Sequence, residues 1–142
     1  MILLDVNVLV YAFRIEPPRG RDYLVWLEGV LNGQTAYGIS DNVLSGFMRI
    51  VPHPRAFLRP DPIGKALAFA VMVREQPHCV HVQPGVRHWA IFADLCRRVH
   101  AKGNIIPDAY FAALAIETGS EWITADRGFA RFPDLQWRHP LD

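Results

Sequence analysis

Three aspartates have the residue type and the placement needed for chemistry. Asp5 ends the first apolar run of the chain and Asp126 ends a late one, and each run is typical of a buried strand in a parallel sheet. Asp108 opens the stretch Ala109–Ile116, which is wholly apolar and predicts a helix buried on all sides. Ends of parallel strands and starts of the following helices lie along one edge of such a sheet. We therefore expect the three carboxylates to converge there.

Converging carboxylates repel one another unless they share a proton or bind a cation. A hard divalent ion with oxygen ligands, Mg²⁺ or Mn²⁺, is the natural partner. Such an ion also binds a phosphate oxygen and lowers the pKa of bound water, which predicts hydrolysis of a phosphodiester. The competing interpretation is that each aspartate only caps a helix. No Walker loop, GxGxxG, GxSxG or HExxH motif offers another catalytic set.

The helix that carries Asp108 has clear start and stop signals. Pro107 suits the first helical position, because its missing N–H would have no partner there. Asp108 follows in the first turn, where the helix dipole favours a negative charge. Gly119 suits the left-handed position just past the helix end.

The remaining patterns alternate between strands and helices. Strands are predicted at Ile2–Leu4, Thr35–Ile39, Val80–Val82, Glu121–Thr124 and Leu135–Trp137. Helices are predicted at Val8–Phe13, Arg21–Leu31, from a Ser40 N-cap through Val51, and again from Ile63. Between the last two, Val51–Pro62 carries four prolines and predicts an irregular connection. This alternation predicts an α/β domain with a mostly parallel central sheet, and one domain over residues 1–142.

Two helical faces are predicted to be buried from their spacing. The first consists of Ile63, Ala66, Leu67, Ala70 and Val71. The second consists of Trp89, Phe92, Cys96 and Val99.

Composition limits the class of protein. Hydrophobic residues make up 51% of the chain, charged residues 20%, and the formal net charge is +1. These values exclude overall disorder and give no global basic field for nucleic acid. No apolar run approaches the roughly 20 residues of a membrane span, so we expect a soluble, cytoplasmic protein without a membrane partner.

The three aspartate segments together resemble a known family. Asp5 in ILLDVNVLVYAF, Asp108 in GNIIPDAYFAALAIETG and Asp126 in ITADRGFARFP closely resemble the PIN-domain ribonucleases of the VapC toxin type, and LSGFMRIVPHPRAF resembles the second-helix region of that family. The resemblance implies a compact α/β/α sandwich and a metal-dependent endoribonuclease that acts as a toxin on RNA. It also implies a cognate antitoxin and a homodimer. All three aspartates are then candidate catalytic residues, with Asp5 and Asp108 as the principal metal ligands.

One position departs from the family pattern. The glutamate usually found three residues before an arginine on the second helix is replaced by Gly46, before Arg49. Asn42, Gly46 and Arg49 share one helical stripe, which we expect to face the metal edge, with Asn42 or water in place of the missing oxygen. Alternatively, Gly46 only permits close packing. The loss of a carboxylate also supports a second function, a PIN-like module with weakened catalysis that binds RNA or antitoxin.

Several other residues have two interpretations. Asn7 either orients Asp5 or caps the next helix, and Thr124 either lies near Asp126 or simply ends its strand. Arg49, Arg127 and Arg131 are candidates for contacts with the RNA backbone, or ordinary surface arginines.

Alternative sites and activities have weaker support. Cys79, His81, Cys96 and His100 are possible zinc ligands, although their spacing is unusual. The four tryptophans are possible stacking platforms for RNA, but core packing is the better account of Trp89 and Trp122. Phosphotransfer on a small molecule lacks both a DxD pair after the first strand and a late lysine.

Overall fold

A five-stranded sheet, parallel throughout, forms the centre of the protein in the computed structural model, which describes residues 1–53 and 59–142. Its strands are β1 (Ile2–Leu4), β2 (Tyr37–Ile39), β3 (Cys79–His81), β4 (Glu121–Ile123) and β5 (Trp137–Arg138). Their spatial order is β3-β2-β1-β4-β5. The predicted parallel sheet is therefore confirmed: β1 has the predicted bounds, and the ends of the other strands differ from the predicted ones by at most two residues.

The chain reverses direction across the sheet between β1 and β4. It first moves outward from β1 through β2 to β3, then returns to place β4 on the other side of β1. Leu3 pairs with Trp122 and Leu4 with Ile123. Parallel sheets of this kind bind ligands at such a reversal, beyond the carboxyl ends of the strands. The segments that follow β1 and β4 occupy that position.

Helices cover both faces of the sheet. The α-helices are α1 (Val6–Arg14), α2 (Gly20–Asn32), α3 (Asp41–Ile50), α4 (Ile63–Arg74), α5 (His88–Arg98) and α6 (Ile105–Thr118), and a 3₁₀ helix spans Arg127–Arg131. Helix α1 contacts α2 and α3, α3 contacts α4, and α5 contacts α6. Because crossovers between parallel strands are right-handed, the reversed crossover through α5 and α6 lies on the opposite face of the sheet from α1 to α4. The result is the expected α/β/α sandwich.

Helix α6 is buried less completely than its sequence predicts, since Tyr110, Phe111 and Ile116 are only partly buried. Ala109 and the run from Ala112 to Ala115 are buried, and Gly119 adopts φ 64° at the C-terminal cap. The helix begins at Ile105, however, so Pro107 is its third residue and not its first. Proline is tolerated there because the first four N–H groups of a helix have no partner within it. Asp108 remains in the first turn.

The exposed side of α4 contradicts the amphipathic prediction. Ala66 and Ala70 are buried as expected, but Ile63, Leu67 and Val71 are 60%, 53% and 44% exposed. Helix α4 packs mainly on α3; Ala66, Ala70 and Val73 are buried there, and the partly buried Phe69 packs on Phe13 and Phe47. The helical spacing identified an apolar face on α4 that is wider than the part of it that α3 and the core cover.

The tryptophan predictions divide in the same way. Trp122 is 1% exposed and stacks on Phe111 with ring centroids 5.4 Å apart, so its core role is confirmed. Trp89, predicted to be buried, is 73% exposed. The buried residues of α5 are His88 and Leu95, because α6 contacts that side of the helix.

Two further expectations concern the connection and the membrane. Residues 54–58 of the predicted irregular connection lie outside the described residues, and its flanks, 51–53 and 59–62, contain no helix or strand. Among the helices described, none has the length and apolarity to cross a bilayer.

Candidate active site

Asp5 is placed by the pairing of the two central strands. It follows β1 directly, and its backbone N–H donates to the carbonyl oxygen of Ile123 at 3.0 Å. Its side chain is the N-cap of α1, where one carboxylate oxygen accepts from the N–H of Val6 at 2.6 Å. The residue is only 6% exposed. A buried carboxylate therefore stands where the sheet reverses direction, held by backbone on both sides.

Asn7 and Thr124 hold the other oxygen of Asp5. The Thr124 hydroxyl donates to Asp5 Oδ2 at 2.6 Å, and Asn7 Nδ2 donates to the same oxygen at 3.1 Å. Asn7 Nδ2 also lies 3.1 Å from Thr124 Oγ1, and its Oδ1 accepts from the N–H of Ala125 at 3.0 Å. The N-cap interpretation of Asn7 is therefore wrong, because Asp5 occupies that position. Asn7 orients Asp5 and ties it to the segment after β4.

Asp126 belongs to the same network. Its N–H donates to Thr124 Oγ1 at 3.0 Å, and its Oδ1 accepts from the N–H of Gly128 at 2.7 Å. The second contact makes Asp126 the N-cap of the 3₁₀ helix. Capping and convergence are both observed for this residue, so the two interpretations do not compete.

Burial and the charge of neighbouring acids raise the pKa of Asp5 and of Asp108. Burial raises the pKa of Asp5 to about 6 against an ordinary 3.8; hydrogen bonds from Thr124 and Val6 oppose the rise, while Asp108 and Asp126 add to it. Burial, followed by the charge of Asp126, also raises the pKa of Asp108, which Arg131 partly offsets. The three carboxylates therefore sense one another electrostatically across the site.

One open cavity of about 990 Å³ connects these residues. Asp5, Asp108 and Asp126 all line it. Its volume is at the upper end of the range for ligand pockets, so it has room for more than a single phosphate group. Three acids that are far apart in the sequence therefore line the same cavity.

The stripe that contains Gly46 lines the same cavity. Asn42, Gly46 and Arg49 are all lining residues, so the stripe faces the acidic edge as expected. A Cβ atom at position 46 would lie 3.0 Å from Cγ2 of Val6, which is closer than ordinary contact. Both interpretations of Gly46 are thus supported: it faces the cavity, and it allows α3 to approach α1 closely.

The charges around the acids favour a cation. None of the ion pairs among residues 1–53 and 59–142 includes Asp5, Asp108 or Asp126. No three histidine, cysteine, aspartate or glutamate side chains in the described part of the chain stand close enough to hold one ion together. An ion at this site would therefore take one or two carboxylates and complete its shell with water, as Mg²⁺ commonly does.

The same observation contradicts the zinc alternative. Within the described ranges, Cys79, His81, Cys96 and His100 do not form a group that could hold a metal. Cys79 and His81 lie on edge strand β3, while Cys96 is on α5 and His100 follows it. The four residues are of types that bind zinc, but the fold does not bring them together.

The candidate arginines are placed differently from one another. Arg49 lines the cavity, and Arg131 is near enough to Asp108 to affect its pKa while donating to the carbonyl oxygen of Gly128 at 2.8 Å. Arg127 instead pairs with Asp142 at 2.8 Å. Arg49 and Arg131 therefore remain candidates for contact with a phosphate backbone, and Arg127 has a structural partner.

Several lining residues were not singled out from the sequence as part of the site. Phe92 and Tyr110 contribute aromatic rings to the cavity wall, and Ser45 and Asn104 contribute polar groups. Phe92 was assigned only to a buried helix face. For Tyr110, the only indication in the sequence of a place in the site was that it lies two residues after Asp108.

The chain is similar to known proteins along nearly its whole length. The family model for the PIN domain matches residues 2–135. Ribonuclease VapC43 of Mycobacterium tuberculosis is 44% identical over 142 residues, covering 100% of this chain and 97% of the relative. Ribonuclease VapC25 of the same species is 35% identical over 140 residues, covering 99% of each. The crystal structure of VapBC2 from Rickettsia felis, bound to a DNA fragment from their promoter, has a similar fold, with a TM-score of 0.73 at 19% identity over 98% of both chains.

Proposed function

Since the chain belongs to the PIN domain family and is similar along its whole length to VapC ribonucleases, we propose that it is a metal-dependent endoribonuclease and the toxin of a toxin–antitoxin pair. The observation that carries this proposal is the convergence of Asp5, Asp108 and Asp126 on one cavity. No described cation pairs with them. A divalent ion and a phosphate oxygen are the ligands that such a site favours.

Asp5 and Asp108 are the proposed ligands of Mg²⁺ or Mn²⁺. Burial raises the pKa of both carboxylates, and no described ion pair offsets their charge. A bound ion would supply charge neutralisation and activate a water molecule for attack on the phosphodiester. Oxygen donors and space for water molecules fit this type of ion better than a soft metal.

The protein's own groups position the reaction. Thr124 and Asn7 fix the carboxylate of Asp5, so that its oxygens hold their direction without rearrangement. Asp126 is fixed through Gly128 and is proposed to orient the attacking water. Arg49 and Arg131 are proposed to hold the RNA backbone on either side of the reacting phosphate.

Substitution of the two proposed ligands tests this function. Asp5→Asn and Asp108→Asn should each abolish cleavage of RNA and remove growth arrest when expressed in a bacterial host. Asp22→Asn is the matched control, because Asp22 is an exposed aspartate paired with Arg19 on α2. Circular dichroism should show that all three variants are folded. Cleavage by both ligand variants at the wild-type rate would contradict the proposal.

Gly46 supports the second candidate, a PIN-like binding module with weakened catalysis. The position faces the cavity but carries no carboxylate. A pure binder would shift RNA in a gel and leave it intact at every manganese concentration. Gly46→Glu should increase metal affinity, provided that Val6 yields a few tenths of an ångström to the new Cβ. Gly46→Gln adds equal bulk without charge and separates the metal effect from the packing effect.

The proposed partner is an antitoxin protein. The VapBC2 structure from Rickettsia felis, whose fold this chain shares, is bound to a DNA fragment from their promoter. Co-expression with the product of a small neighbouring gene should suppress toxicity and yield a stable complex on size-exclusion chromatography. The homodimer and the cytoplasmic location remain predictions, which light scattering and cell fractionation would test.

A further inference from the structure

Trp89 is an exposed aromatic ring beside the acidic cavity. It is 73% exposed on the second residue of α5. A large aromatic side chain left in water forgoes the free energy of burial that its neighbours obtain. Such exposure is informative when the residue lies next to a functional site.

A continuous set of rings connects Trp89 to the cavity wall. Its ring centroid lies 5.5 Å from that of Phe92, and Phe92 lies 5.9 Å from Tyr110. Phe92 and Tyr110 both line the cavity that contains Asp108. The exposed face of Trp89 therefore extends the aromatic wall of the proposed active site outward.

The start of α5 is held to α6 by hydrogen bonds, which hold the backbone that carries Trp89 in place. The Glu117 carboxylate accepts from the N–H groups of Gly85 and Arg87 at 2.7 and 2.9 Å, and the Arg87 guanidinium donates to the Glu117 carbonyl oxygen at 2.9 Å. These backbone hydrogen bonds lower the pKa of Glu117, which keeps its negative charge at neutral pH.

His88 adds a second anchor. It is buried, its Nε2 donates to the carbonyl oxygen of Tyr110 at 2.9 Å, and the two rings are 4.4 Å apart. Two sets of contacts therefore attach the start of α5 to α6. A side chain on such a rigid backbone loses less conformational entropy when a ligand stacks on it than one on a mobile loop.

We propose that Trp89 is a stacking platform for an unpaired RNA base next to the cleaved phosphate. This proposal rests on the proposed ribonuclease function and identifies part of its substrate site. Every base has a π face, so one exposed indole ring holds single-stranded RNA with little sequence preference. Arg49 and Arg131 lie near the acids and supply positive charge for the backbone, while the aromatic wall from Phe92 to Trp89 supplies the base contact.

Substitutions that separate aromatic stacking from general apolar contact test the proposal. Trp89→Phe keeps a flat ring, Trp89→Leu keeps apolar bulk without one, and Trp89→Ala removes both. Binding is measured by anisotropy of labelled single-stranded RNA of mixed sequence, with EDTA present so that the RNA stays intact. The Ala and Leu variants should raise Kd about 5- to 150-fold, the range for loss of one base stack. The Phe variant should retain most of the affinity.

Leu67→Ala is the matched control, because Leu67 is exposed on α4 and does not line the cavity. It should leave Kd unchanged. RNA should also quench tryptophan fluorescence in the wild type and much less in Trp89→Phe. Equal Kd values for wild type, Trp89→Ala and Trp89→Leu would overturn the proposal, as would the absence of RNA binding by the wild type.

Two other results distinguish this proposal from alternatives. A Trp89→Ala variant that changes mass by light scattering but binds RNA normally would assign the ring to a protein interface and overturn the proposal. RNA binding that depends on Trp89, without cleavage in Mg²⁺ or Mn²⁺, would leave the platform in place and contradict the nuclease function instead.

Discussion

Replacement of Asp5 by asparagine should change how the stability of the metal-free protein depends on pH. In the folded protein Asp5 keeps its proton up to about pH 6, whereas its ordinary pKa is 3.8. Unfolding between these values releases a proton, so the free energy of unfolding falls as the pH rises through this window. A tenfold change in proton affinity is worth about 1.4 kcal/mol, so the loss amounts to about 3 kcal/mol.

Asparagine does not titrate, so the variant should lack this component. The substitution also changes the unfolding free energy by an amount that does not depend on pH, because the new amide at position 5 faces both the Thr124 hydroxyl and the Asn7 amide. The informative quantity is therefore the difference in unfolding free energy between the two proteins as a function of pH. That difference should shift by about 3 kcal/mol in favour of the variant between about pH 4 and pH 7.

Urea denaturation in EDTA across this pH range measures the effect. Asp22→Asn is the control, and its curve should run parallel to the wild type. Addition of Mg²⁺ at neutral pH should restore wild-type stability by about 2.7 kcal/mol at roughly 100 times Kd, and should not stabilise Asp5→Asn to that extent. Parallel pH curves for wild type and Asp5→Asn would refute the account of Asp5 as a buried, uncompensated carboxylate.

Two further predictions concern the support of the site and the core. Thr124→Val removes the hydroxyl that lowers the pKa of Asp5 and accepts from the N–H of Asp126. Metal affinity and the free energy of unfolding should both fall, the latter by about 1–3 kcal/mol. Isothermal titration and urea denaturation measure these two quantities, and wild-type values for both would contradict the prediction. Phe47→Ala, at a fully buried position, should cost about 3–5 kcal/mol, whereas Leu67→Ala should cost well under 1 kcal/mol because that side chain is 53% exposed. Equal melting temperatures for these two variants would refute the assignment of the α4 surface.

Local signals in the sequence were sufficient for most of the elements. Ser40 caps α3, Gly119 ends α6 in the left-handed conformation, and Asp108 stands in the first turn of α6. Each feature depends on a few neighbouring residues, because capping and dipole effects act within one turn. Local signals also placed Asp5 at the end of a strand. Because the sheet is parallel, that position lies at the same edge as the other two acids.

The outward faces of α4 and α5 could not be derived from the sequence. Leu67 and Trp89 lie on apolar stripes, but burial depends on which neighbouring helix covers each stripe. Helical periodicity gives the direction of a side chain relative to its own helix and contains no information about the extent of the covering surface. These exposed residues are the largest departures from the predicted core.

The three acids, the alternation of strands and helices and the family resemblance could all be found from the order of the residues. Two features required the folded chain: the Thr124 hydroxyl contacts Asp5 across a separation of 119 residues, and Trp89 remains in solvent beside the cavity. The first depends on the register between β1 and β4, and the second on how α5 packs on α6. Both depend on how separate elements pack against one another, which the local pattern of each element does not specify.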